Sequence, residues 1–228
     1  MKRRRPGLQQ KWGHVVNSLQ GIIPSYERAS SRISLFGDRR MRLEAVTFAA
    51  RRGGLVLDLG AGPGTMSRLV SSVGAEPVLL DASRIMLKAS GFPNKVTGVF
   101  EWLPFRDGVF DGAVAGFALR DAHDLMTAMG ELSRVLKRGG RFGLCDLGKP
   151  DEPLRAIGVA FYMRVVPSII GLASAGRPGL RYGSLFDTYL LTLHNSELQA
   201  LLARYLGDAS THETQMGGAI VVRCVKSS

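Results

Sequence analysis

Residues 55–64, LVLDLGAGPG, decide the fold. The first five are an apolar run broken only by Asp58, short enough for a buried strand. Gly60, Gly62 and Gly64 then fill a turn, and TMSRLVSSVG beyond it has helical character. Glycines in such a turn let the backbone approach a ligand with no Cβ in the way. A strand entering a helix through this turn is the first half of an open α/β unit, and ligands of such sheets bind at the carboxyl ends of the strands.

The same alternation continues outward. PVLLD, ending at Asp81, reads as a second strand and SRIMLKAS as a second helix; KVTGVF and FDGAVAGFAL read as the third and fourth strands. HDLMTAMGELSRVLKRGG carries an apolar stripe of Leu125, Met129, Leu132 and Leu136, so a helix is expected with Lys137 and Arg138 in its last turn and Gly139–Gly140 as its stop. RFGLCDLG is a fifth strand and GGAIVVRCV a closing one. Between them SELQALLARYL has Ser196 and Gln199 at capping-box spacing. Upstream, DRRMRLEAVTFAA has helical spacing and stops at Gly53–Gly54. The expected architecture is α/β: a Rossmann-like, mostly parallel seven-stranded sheet with helices on both faces and an antiparallel closing strand.

At 228 residues and 45% apolar, the chain can bury one sizeable core. The expected organisation is a basic arm over 1–23 and one domain over 24–228. Residues 1–52 hold 12 Lys+Arg against 3 Asp+Glu, while residues 53–228 hold 18 against 16, so the net charge of +11 belongs mainly to the N-terminal part. Such an arm can touch phosphate, of nucleic acid or of an anionic bilayer, or simply be solvated. No secretion signal is indicated, and no run of 18 apolar residues exists, so no span is expected. Cys145 and Cys224 form no metal-ligand cluster; no metal site is expected, and both read as small hydrophobes of a reducing interior. Residues 153–183 are strongly apolar but broken by Arg164, Pro167 and glycines. They read as an inserted helical pair, packed on the core or covering a greasy substrate.

The glycine turn alone does not choose a ligand, because dinucleotide enzymes share its geometry. Here the spacing is GxGxG, with Asp58 two residues before the first glycine. That acid favours a ligand carrying an ammonium group and disfavours a pyrophosphate. Asp81 ends the next strand, where it can accept from both hydroxyls of a ribose. A ligand with a ribose, an amino-acid end and no phosphate is S-adenosylmethionine.

VLDLGAGPG, LLDAS, FEWLPFRDGVFDGAVAGFALRD, ELSRVLKRGGRFGLCDLGKP and RYGSLFDTYL together resemble the class I methyltransferases, and specifically the C-methyltransferases of menaquinone and ubiquinone biosynthesis. The upstream SYERASSRISLFGDRRMR is similar to that family's entry segment, so the resemblance runs from about Pro24 to the last strand. It implies Pro63 and Gly64 near the methionyl end of the cofactor, Asp81 on the ribose, Val99 and Phe100 flanking the adenine, and Gly116 facing the methyl donor. The family usually has Asp or Asn at Val99, so backbone groups or Glu101 are left to meet the adenine amino group. It also usually has Asn at Asp121.

The resemblance further implies a catalytic arginine at Arg120. An arginine with a pKa above ~12 is a poor base, so Arg120 is read as the cation that stabilises a quinolate. The proton then passes to Asp121, His123, Tyr26 or water. Asp121 is preferred and is also expected to orient the guanidinium; Tyr26 rests on SYER alone. The implied substrate is a prenylated quinol, which puts the enzyme in the cytoplasm, docked peripherally on the membrane through its basic arm; a homodimer stays open. Rival readings are an RNA or protein methyltransferase, a methyltransferase of another lipophilic molecule, and a non-catalytic scaffold binding cofactor or prenyl chain. Nucleic acid is not the first choice, because FALRD replaces the Asn/Asp-Pro-Pro-aromatic motif of many amine-methylating enzymes.

Overall fold

The computed structural model describes residues 37–175 and 192–227, with 186, 189 and 190. Seven strands, β1 (Leu55–Leu59), β2 (Glu76–Asp81), β3 (Lys95–Thr97), β4 (Phe110–Gly116), β5 (Leu136–Leu147), β6 (Gly207–Thr214) and β7 (Ala219–Lys226), form one sheet in the order β3-β2-β1-β4-β5-β7-β6. β7 runs antiparallel between β5 and β6, and the pairs from β3 to β5 are all parallel. The helices are α1 (Asp38–Ala49), α2 (Thr65–Ser72), α3 (Arg84–Ala89), α4 (Leu125–Val135), α5 (Pro153–Ala175) and α6 (Asn195–Leu206).

Alternation along each strand splits the core in two. On one face Leu57, Ala113, Ala115, Phe142, Leu144 and Val222 pack under α4 and α6, through Met129, Leu132 and Leu202. On the other, Val56, Val114, Cys145 and Val221 meet Met41, Ala45 and Ala49 of α1 and Met66 and Val70 of α2. Cys145 and Cys224 therefore lie on opposite faces, both as free thiols, and burial pushes both up to about 12. No disulfide joins them.

Two glycines set the depth of α1. A Cβ on Gly143 would lie 2.2 Å from the carbonyl oxygen of Ala45, and one on Gly112 would lie 2.3 Å from that of Ala49. The helix backbone thus rests directly on β4 and β5, where any side chain would lift it.

Several local expectations are corrected. α4 stops at Val135, one residue before β5 begins, so Lys137 and Arg138 lie in the strand rather than in a last helical turn. The register between β4 and β5 shifts over these residues, Gly139 takes φ 69°, and Lys137 reaches the Asp111 carboxylate at 2.6 Å. α6 is capped one residue pair earlier than Ser196 and Gln199 suggest: His194 and Glu197 form the box, and the Ser196 hydroxyl donates to Asp151. Residues 153–175 form one helix through Pro167, and the rest of the expected pair, to 183, lies outside the described residues. By length and composition alone α5 could cross a membrane, which Arg155 and Arg164 conceal from a count of unbroken apolar runs. The third strand stops at Thr97. β6 was not apparent in the sequence, because GDASTHET is a polar edge strand with alternate residues exposed.

Gly143→Ala is expected to destabilise the fold by about 2 kcal/mol, since the overpacked contact is backbone and cannot rotate away. Urea unfolding at neutral pH measures it; a cost within error would mean that α1 is free to shift.

Candidate active site

The strand order reverses between β1 and β4, and the cavity opens at the carboxyl ends of these strands. Gly60, Gly62 and Gly64 all take positive φ, from 52° to 84°, so the turn needs glycine at each. A Cβ on Gly60 would also strike Ala118 at 2.4 Å and the Phe100 ring at 3.1 Å.

Asp81 sits at the end of β2 and anchors the floor. Its Oδ2 accepts from the Gly62 amide at 2.8 Å and its Oδ1 from the Ser83 amide at 2.7 Å. Each carboxylate oxygen keeps one lone pair for a ligand hydroxyl. Burial pushes this carboxyl above its ordinary range, against the two amides.

The far wall hangs on α4. Glu131 accepts from the Leu103 amide, and Arg134 donates to the carbonyls of Leu103 and Phe105, fixing the EWLPF segment. Val99 and Phe100 line the cavity there. Glu101 lines this wall too; its Oε1 accepts from the amides of His123 and Asp124 at 2.6 and 3.0 Å. Its Oε2 and backbone groups are what this wall offers an adenine.

At the third side, β4 ends in Gly116 and turns sharply at Phe117, a non-glycine residue at φ 59°. Such strain persists only where the surroundings impose it, and it clusters at functional sites. Here the Phe117 ring lies under the Arg42 guanidinium, 4.8 Å from centroid to Cζ, and a Cβ on Gly116 would come within 2.5 Å of an Arg42 nitrogen. Arg42, on α1, is 9% exposed, lines the cavity, and has a buried Nε with no hydrogen-bond partner.

Of the expected cofactor residues, Gly60, Gly62, Pro63, Asp81, Val99, Phe100 and Gly116 line the cavity. Two do not. Gly64 caps α2 behind the turn, with the Phe92 ring against it. Asp58 is wholly buried beneath it, accepting from the Ser67 hydroxyl at 2.6 Å and leaving Oδ1 without a partner. Desolvation raises Asp58 to about 6, against the Ser67 hydrogen bond and the Arg42 charge. It is not in the cavity wall, so what reaches the cavity from it is its field.

Asp121 also lines the cavity. It does not cap α4, a role taken by Asp124, and it does not hold the arginine beside it. Arg120 turns instead to Asp146 at the end of β5, Nη1 to Oδ1 2.5 Å, both side chains nearly buried. Arg120 is not itself in the cavity wall. Burial pushes Asp121 up, opposed by the Arg120 charge and reinforced by that of Asp146. His123 lines the cavity too, while Tyr26 lies outside the described residues. The sequence reading missed Arg42, Phe117 and Asp146. Only Asp146, a carboxylate ending a strand in the quoted DLGKP, left a signal that could have been read. Among the described residues no cluster of His, Cys, Asp and Glu suits a metal ion.

Residues 57–144 match a methyltransferase-domain family. The demethylmenaquinone methyltransferase of Clavibacter sepedonicus is 32% identical over 187 residues, covering 78% of this chain and 76% of that protein. The chain belongs to the demethylmenaquinone methyltransferase family. The enzyme of the same name from Streptomyces griseus is 34% identical over 170 residues, 72% of this chain and 74% of its own. The plantazolicin methyltransferase BpumL, solved with S-adenosylhomocysteine, shares the fold at TM-score 0.64 and 14% identity, over 97% of this chain and 99% of its own.

The protein is thus an S-adenosylmethionine-dependent methyltransferase, and its cavity fits that cofactor. Asp81 has acceptors for a ribose, the glycine turn leaves no Cβ in the way, and Arg42, whose Nε has no hydrogen-bond partner, is a buried cation on the cavity wall. The α-carboxylate of the methionyl end is the anion of matching charge. Removing a charge-assisted partner costs about 1.5–3 kcal/mol. Arg42→Gln is therefore expected to weaken both S-adenosylmethionine and S-adenosylhomocysteine about tenfold to a hundredfold by calorimetry. Equal affinities would remove Arg42 from the site.

A cationic ligand favours ionised Asp58, while the free protein holds that proton up to a pH of about 6. Binding below this value must expel it. Affinity for S-adenosylmethionine is expected to fall as pH drops through about 6, and to flatten in Asp58→Asn, which keeps an acceptor for Ser67; titrations from pH 5 to 8 test it.

Proposed function

We propose that the protein methylates a ring carbon of a prenylated quinol, in the manner of demethylmenaquinol becoming menaquinol. The observation that carries this reading is the group of Arg120, Asp121 and Asp146 at the ends of β4 and β5, beside the cavity, in a chain whose curated relatives bear that name. Bound S-adenosylmethionine supplies an electrophilic methyl group on a sulfonium.

The residues of this chain prepare the acceptor. Asp121 takes the proton of a quinol hydroxyl, a task suited to a carboxylate whose burial raises its proton affinity. The oxyanion pushes electron density onto the neighbouring ring carbon, whose electron pair forms the new C–C bond as the S–CH3 bond breaks. Arg120, held by Asp146 beside the cavity, stabilises the oxyanion by its field meanwhile. Loss of the ring C–H proton to water then restores the aromatic ring. The negative field of Asp58 and Asp81 favours the cationic donor throughout.

A prenyl tail keeps such a substrate in a bilayer. The reading therefore includes a peripheral position on the cytoplasmic membrane face, with residues 1–23, outside the described residues, meeting anionic headgroups.

Incubation with labelled S-adenosylmethionine and a reduced short-chain demethylmenaquinol tests the chemistry. Wild type should transfer label to the ring carbon. Arg120→Ala should lose about 100-fold or more in kcat, with cofactor affinity held within about twofold. Asp121→Asn should lose activity at every pH, and Asp146→Asn should lower kcat less than Arg120→Ala does. No transfer by a wild type that binds the cofactor tightly would overturn the substrate assignment.

A further inference from the structure

α5 is apolar all round, and among the described residues it packs on one side only. Val159 and Met163, one turn apart on one stripe, are buried against Tyr189, with Leu147 and Phe186 beside them. The opposite stripe faces water: Leu154, Ile157, Phe161 and Ile169 are between 60% and 77% exposed, and Leu172 is 48% exposed. At 100° per residue these five fall within an arc of roughly 120°, and they extend along about 27 Å of helix. A solvated helix of a soluble protein carries polar residues on such a face.

The charges on α5 say what covers it. Its only ionic residues are Arg155 and Arg164, and the helix holds no acid from Pro153 to Ala175. On the same wheel Arg155 lies roughly 100° to one side of the stripe centre and Arg164 about 80° to the other. Two cations thus flank one apolar stripe, where long side chains can reach up from buried hydrocarbon to charged headgroups. Arg155 lies 4.0 Å from Glu152, and Arg164 stacks over the Phe186 ring, so both are held at the flanks. The acids preceding the helix are engaged: Asp151 by Ser196, and Glu152 by the amides of Leu154 and Arg155.

We infer that α5 is an interfacial docking helix, lying in the plane of an anionic bilayer with Leu154, Ile157, Phe161, Ile169 and Leu172 in the acyl boundary. The packed stripe on Val159 and Met163 keeps the helix against the body of the protein, so it lies on the membrane rather than crossing it. A second copy of the chain is the weaker occupant, since the stripe would bring a further pair of arginines with no acid on the helix to answer them. The inference deepens the quinol reading and rests on its membrane position, and membrane binding itself needs neither cofactor nor substrate.

The test is flotation of the full chain with vesicles of phosphatidylcholine and phosphatidylglycerol, and of phosphatidylcholine alone, at low and high salt. Wild type should float with the anionic vesicles and keep part of that binding at high salt, where exposed charges are screened. The double variant Ile157→Gln/Phe161→Gln should lose at least about tenfold of the bound fraction, while its affinity for S-adenosylmethionine stays unchanged and reports an intact fold. A chain lacking residues 1–12 should lose only the salt-sensitive part. Equal flotation of the double variant and wild type would overturn the assignment. So would a wild-type dimer in sedimentation that the double variant dissolves while vesicle binding persists. Full activity on a short-chain quinol in a variant that no longer floats would leave the reaction standing apart from the docking.

Discussion

The carbonyl oxygens of Ala45 and Ala49 occupy the places where Cβ atoms of Gly143 and Gly112 would be. This close approach fixes α1 against the sheet, and α1 carries Arg42 one turn before Ala45. The guanidinium is thereby lowered to the end of β4, where Gly116 leaves room for it and Phe117 turns its ring beneath it. A buried charge is tolerated only with compensation. Around Arg42 that compensation is diffuse: an aromatic face and the field of Asp58, with Nε left over. Two missing side chains in the middle of the sheet thus determine where this cation sits on the cavity wall.

The same economy explains why the sequence reveals one half of the cavity so well. Glycines at positive φ and carboxylates at strand ends are local features, and residues 55–64 and Asp81 display them within a few positions. The parallel sheet follows from the alternation of apolar runs and amphipathic stretches. Other features depend on partners far along the chain. Arg42 lies far from Gly116 and Phe117 in sequence, and nothing in DRRMRLEAV distinguishes it from the arginines beside it. β6 is an edge strand whose polar residues need no burial, so it has no apolar alternation to betray it. The end of α4 was misplaced for the opposite reason: Lys137, Arg138 and two glycines are good helix-ending chemistry, yet pairing of Leu136 with Phe110 in the sheet takes precedence over propensity.

The pairing of Arg120 with Asp146 rather than Asp121 bears directly on the chemistry. A carboxylate held by a guanidinium at hydrogen-bond distance has its proton affinity lowered and makes a poor base. Adjacent residues suggest that pairing in the sequence, and it would have left His123 as the candidate acceptor on the cavity wall. Because β5 runs beside β4, its terminal Asp146 takes the arginine, and Asp121 lines the cavity with its carboxyl pushed up by burial. The residual influence of Arg120 on Asp121 then has a useful sign. It opposes the burial without cancelling it, so the group remains a better base than a solvated aspartate. In the proposed mechanism Arg120 holds the negative charge on the substrate while Asp121 removes a proton from it. In that mechanism asparagine at position 121, usual in the family, could not take the proton that Asp121 takes.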